Sequence, residues 1–238
     1  MFKEMRRNFY PCFLMAASFF GLFLLGMIAS HPPTIQDKDF LWRKPITGSI
    51  FGLILFLGIL AAFSQSSLRI FKIEKEKHEP NVLRQGSFAV RGHHPTCGKF
   101  STHVFQVGNR MFCISCMGLF FGAAASLLGT VAYFFNGWSP GQGSLPLTIM
   151  GILGVVFGLL QFPMLKNRRG FIRFFLNAFF VFGTFLIIIG VDVHVQSLFL
   201  DLFVVALSLF WLFTRITLSQ WDHNRICNAC EFKCEFMD

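Results

Sequence analysis

Six apolar runs, each about twenty residues long, decide what this chain can become. They cover residues 9–30, 46–64, 113–135, 145–165, 172–191 and 198–218. An apolar stretch of ~18 residues or more has the length of a helix that crosses a hydrocarbon layer. In lipid every backbone polar group must be satisfied within the chain, so such runs fold as helices. The expected fold is therefore an all-α polytopic membrane protein with about six transmembrane helices. Composition agrees: 54% of the residues are hydrophobic and 34 are Phe, more than one soluble core can use.

The formal charge of +9 does not point to nucleic acid, because the basic residues are scattered over short segments between the spans. There they orient the chain. With the N-terminus inside, eighteen of the 21 Lys and Arg residues fall on one side, and only Lys38, Arg43 and Lys44 on the other. The positive-inside rule then predicts a cell-membrane protein with both termini in the cytosol. Trp42 and Trp138 are expected at the outer interface, Trp211 and Trp221 at the inner one. The first run follows a basic start, and Arg6-Arg7-Asn8-Phe9 is faintly like a twin-arginine signal. Its length and the lack of a small-x-small cleavage site favour a retained signal anchor. Gly118 with Gly122, and Gly154 with Gly158, form small-x-x-x-small pairs that let helices approach closely.

The expected organisation is 1–65, helices one and two; 66–112, a cytosolic Cys/His loop; 113–218, helices three to six; and 219–238, a cytosolic Cys-rich tail. A connection as long as the first loop is usually functional or disordered. Its charged start, residues 69–79, is expected to extend the second helix. Residues 102–107 and 110–112 read as short strands around Gly108-Asn109, a hairpin turn signal.

Around that hairpin, His94, Cys97, Cys113 and Cys116 have the form H-x2-C-x15-C-x2-C. This is zinc-ribbon spacing with one Cys replaced by His. Four-coordinate zinc accepts Cys3His, two x2 knuckles each offer two ligands, and a hairpin brings the knuckles together. Cys113 and Cys116 open the third span, where the helix N-terminus favours thiolate, the metal-binding form. His93 and His103 are alternative fourth ligands. Ordinary buried cysteines, or a redox Cys-x-x-Cys pair, are the rival readings; a cytosolic location favours metal over disulfide. The tail repeats the theme as His223, Cys227, Cys230 and Cys234, H-x3-C-x2-C-x3-C. It either holds a second metal or shares one with the loop. Zinc is the expected metal and an iron–sulfur cluster the alternative. Cys12 is expected to be a small apolar filler.

Cys97, the hairpin with Phe105 to Gly108, and Cys113-Ile-Ser-Cys116-Met-Gly118-Leu-Phe-Phe-Gly122 resemble a family of uncharacterised prokaryotic, archaeal-like polytopic membrane proteins. In that family a Cys and a short hairpin precede Cys-x-x-Cys-Thr-Gly at the start of a transmembrane helix. Here Ser115 stands where the family often has Arg, and Met117 where it often has Thr. The resemblance covers about a tenth of the chain and implies a topology and a site, not an activity.

Asp192, His194 and Asp201 lie near the outer ends of spans five and six. Ionisable residues at membrane depth are candidates for a proton or cation site. The short loop between the spans instead favours all three facing water. Gln161 and Asn177 are expected to hydrogen-bond between spans four and five. The function expected is an integral membrane protein with a cytosolic zinc site, the metal structural or regulatory. A membrane thiol or iron–sulfur oxidoreductase, and an ion or small-solute transporter, are the alternatives. Beyond the bilayer, a protein partner could dock on the cytosolic loop; oligomeric state is not legible.

Overall fold

The structure, a computed structural model, describes residues 2–30, 41–75, 104–107, 110–141, 144–164 and 170–228. Six helices form the bundle: α1 (Phe2–Ser30), α2 (Arg43–Lys75), α3 (Ile114–Thr130), α4 (Ser144–Met164), α5 (Gly170–Val195) and α6 (Leu198–Asn228). Two strands, β1 (Val104–Val107) and β2 (Arg110–Cys113), pair antiparallel immediately before α3, with Val104 opposite Cys113. Five helices are long and apolar enough to cross a membrane; α4 contributes a shorter apolar stretch, Leu145–Gln161. These helices mark a multi-pass membrane protein.

The outer surface supports that conclusion. Phe20, Phe23, Leu53, Phe56, Leu128, Phe157 and Phe213 are exposed around the bundle. Exposed apolar side chains spread over every helix suit lipid contact and would be costly in water. The core runs along α5, where every residue from Gly183 to Asp192 is buried. A helix buried on all sides needs no polar face. It is enclosed by α3, α4 and α6, while α2 packs on α3 and α1 on α6.

The small-residue pairs are the places where backbones meet. A Cβ on Gly122 would lie 2.5 Å from the Ala178 carbonyl oxygen, and one on Gly154 would lie 2.6 Å from that of Phe179. Gly118 meets the Phe174 carbonyl in the same way, and Gly158 meets the Phe180 side chain. Gly122→Leu or Gly154→Leu is expected to cost about 1–3 kcal/mol by forcing α3 or α4 off α5. Gly58, with open space around it, should accept Ala without loss. Thermal unfolding of the three variants in one detergent measures the difference.

Several sequence expectations are revised. Trp211 is fully buried, and its Nε1 donates to the Ser18 carbonyl at 3.3 Å, so it ties α6 to α1 instead of anchoring at an interface. Nearby, Ser18 Oγ donates to Thr214 Oγ1 at 3.1 Å. Trp42 and Trp138 are exposed. Cys12 is exposed and fills no gap. As expected, α2 runs past its apolar part, to Lys75.

Candidate functional sites at the two ends of the bundle

The order of the helices collects charged residues at both ends, with a largely apolar middle between them. Asn177 and Asp192 on α5 are fifteen residues apart, or about 22 Å at the helical rise. Ile187, Ile188, Val204 and Phe180 fill the space between at 1% exposure or less.

At one end the β-hairpin feeds α3. Cys113 is the N-cap of α3 and has extended backbone; Cys116 lies in the first turn. Cys113 is buried and Cys116 half-buried, neither in a disulfide, and their side chains are hydrogen-bonded to each other. Arg215, 4% exposed, reaches this end from α6 and interacts electrostatically with both sulfurs. Its Nε donates to Asn177 Oδ1 at 2.9 Å and its Nη2 donates to the same oxygen. Gln161 Nε2 donates to Asn177 Oδ1 at 3.0 Å, the α4–α5 hydrogen bond expected from sequence. Asn177 Nδ2 in turn donates to the Arg173 carbonyl at 2.7 Å. The thiols thus adjoin a buried cation held by the Asn177 amide, which Gln161 bonds in turn. An isolated thiolate in such a setting is costly, whereas one bound to a cation is not.

Of the other expected ligands, His93, His94, Cys97, His103, Cys230 and Cys234 lie outside the described residues. His223 and Cys227 fall on the last turns of α6, four residues apart, and their side chains lie outside the description. Among the described residues no group of three or more His, Cys, Asp or Glu side chains is placed to hold a metal.

At the other end, Arg43 is 7% exposed at the start of α2. Its Nη1 donates to Asp201 Oδ2 at 3.0 Å and also to Asp192 Oδ1. Asp192 and Asp201 are 0% and 1% exposed, so the expectation that they face water does not hold; His194 alone is exposed. Asp201 sits in the first turn of α6, where a helix N-terminus stabilises a carboxylate. A tight turn through Gln196, at φ 55°, brings the end of α5 beside it.

Tyr133 completes the cluster by donating to Asp192 Oδ2 at 2.5 Å. It comes from a single π-helical turn, Val131–Phe135, that extends α3. The extra residue in such a turn re-aims side chains, and here the Tyr133 ring is 1% exposed. Lys44 Nζ lies 4.4 Å from the centre of that ring.

Sequence reasoning missed Arg43, Tyr133 and Arg215 as site residues. In the sequence Arg43 and Arg215 stand only as orienting charges. Arg215 carried a usable signal, a lone cation inside an apolar run. Tyr133, one of two Tyr in the chain, carried none. No protein-family model, curated protein or solved structure matches this chain.

Proposed function

We infer that this multi-pass membrane protein holds a metal ion, zinc, through Cys113 and Cys116, with Cys97 and His94 completing the set. The observation that carries this reading is the pair of contacting sulfurs at the start of α3, beside buried Arg215. Zinc with three thiolates and a neutral imidazole carries one net negative charge, which a guanidinium offsets. The hairpin supports the same reading. Only six residues separate Cys97 from Val104, which pairs opposite Cys113. That length of chain spans up to about 23 Å when extended, ample for Cys97 to return to Cys113.

The metal's role is structural or regulatory: it ties the loop 66–112 to the helix bundle. The charge imbalance between the two sides favours a cytosolic location for this end, where thiols stay reduced. Reassigning Arg43 and Arg215 to the interior leaves that imbalance in place. His223 and Cys227 fall on the last turns of α6, and together with Cys230 and Cys234 they are the candidates for a second set. The family resemblance carried by the Cys-x-x-Cys segment belongs to this proposal, as does a docking role for the ordered loop.

Limited trypsin digestion tests the reading. The Cys113→Ser, Cys116→Ser double variant is expected to be cut within residues 66–112 at least tenfold faster than the wild type, with the helices intact. Identical digestion of the two proteins overturns it.

A further inference from the structure

The Arg43 end of the bundle is independent of the thiol site, and its charges do not balance. The buried groups are one guanidinium and two carboxylates, leaving one net negative charge. Lys44 sits over the Tyr133 ring at the rim of the cluster. Because Asp192 and Asp201 accept hydrogen bonds from the same nitrogen, their bonded oxygens lie within about 6 Å of each other. Two carboxylates this close in an apolar setting do not both remain charged without a compensating cation.

A second observation points to where that cation sits. Two buried oxygens, Asp201 Oδ1 and Thr47 Oγ1, make no hydrogen bond among the described residues. Thr47 is 0% exposed and lies one turn along α2 from Arg43, on the same face. Gly48, next to it, packs against Phe134 and Phe135 of the π turn, and Arg43 reaches Asp201 of α6. Asp192 is fully engaged, with one oxygen on Arg43 and the other on Tyr133. Asp201 has one oxygen on Arg43 and one to spare.

We propose that Arg43, Asp192, Asp201 and Thr47 form a binding site for one exchangeable monovalent cation, a proton or a sodium-sized ion. Asp201 takes the cation on its spare oxygen, while Arg43 and Tyr133 hold Asp192 in place. The facing titratable groups are Arg43 and Lys44 from α2, Tyr133 from the π turn, Asp192 from α5 and Asp201 from α6. His194 is exposed, and neither α1 nor α4 brings a titratable residue to this end among the described residues. A multi-pass protein with such a site has the means to couple ion binding to a change in how α2, α5 and α6 pack.

Infrared difference spectroscopy on the full chain in lipid nanodiscs separates the two cations. Acid steps between about pH 9 and pH 4 at fixed sodium span the carboxyl range. If the cation is a proton, a protonated-carboxyl band appears in the wild type and is lost in Asp201→Asn. If it is sodium, sodium steps at fixed pH perturb the carboxylate bands and raise Tm. Asp201→Asn abolishes that response, and Thr47→Val weakens sodium affinity at least tenfold. Asp201→Asn keeps the side-chain shape and leaves Arg43 and Asp192 paired one to one, so it is expected to fold. Acid-step and sodium-step difference spectra that are identical for the folded wild type and Asp201→Asn overturn the proposal.

Discussion

Arg43→Met is expected to destabilise the protein by about 3–5 kcal/mol, more than any other single substitution in the bundle. The change leaves Asp192 and Asp201, both buried, without their shared guanidinium. An unpaired buried charge carries the full cost of its desolvation. The loss is also architectural, because this one side chain joins α2 to both α5 and α6. The burden should lift when the charges are removed together: Arg43→Met combined with Asp192→Asn and Asp201→Asn is expected to recover most of the stability. Replacing a whole buried ion cluster with neutral groups is often close to neutral. Denaturant unfolding of the single and triple variants in one detergent measures both effects. Wild-type stability in the single variant would mean that the guanidinium does not pair with these carboxylates.

If the chain holds zinc as proposed, removing it is expected to have the second large effect, confined to one region. Structural zinc contributes on the order of 10–16 kcal/mol in small motifs that have no other core. Here the helices already bury a continuous apolar core, from Leu25 through Ile187 to Trp211. The metal's stabilisation therefore falls on the loop. A chelator in reducing buffer should open residues 66–112 to trypsin, which has sites at Arg84, Arg91 and Lys99. Adding zinc back should close them. Helix content should stay constant throughout, as circular dichroism would show. Collapse of the helices on chelation, or a loop indifferent to chelation, would count against a metal that orders the loop alone.

Helix positions were legible because membrane helices announce themselves by length and hydropathy alone. The expected run 113–135 corresponds to α3 and its π turn, and 145–165 to α4. The glycine pairs were legible for a related reason: between lipid-solvated helices, close packing has few other signatures. The hairpin could be read from alternation around Gly108-Asn109.

The polar clusters were less legible, because sequence shows where a charge lies along the chain and not what stands across from it. Arg43, Asp192 and Asp201 are separated by up to 158 residues, and each is near the end of an apolar run. Each alone suits a headgroup position. Only the bundle brings them together and excludes water. Tyr133 depends further on a local π turn, which has no dependable sequence signature. Trp211 illustrates the converse. Its place near a span end suggested an interface, yet the α1–α6 packing encloses it.

The most direct test of the thiol site is elemental analysis, with an absorption spectrum, of anaerobically purified wild type and the Cys113→Ser, Cys116→Ser variant. Colourless wild type with one or two zinc ions per chain, and at least one ion fewer in the variant, is the expected result. Iron with sulfide and visible absorbance would contradict zinc and point to electron transfer. Absence of metal from both proteins would contradict the site itself and leave Cys113 and Cys116 as a thiol pair.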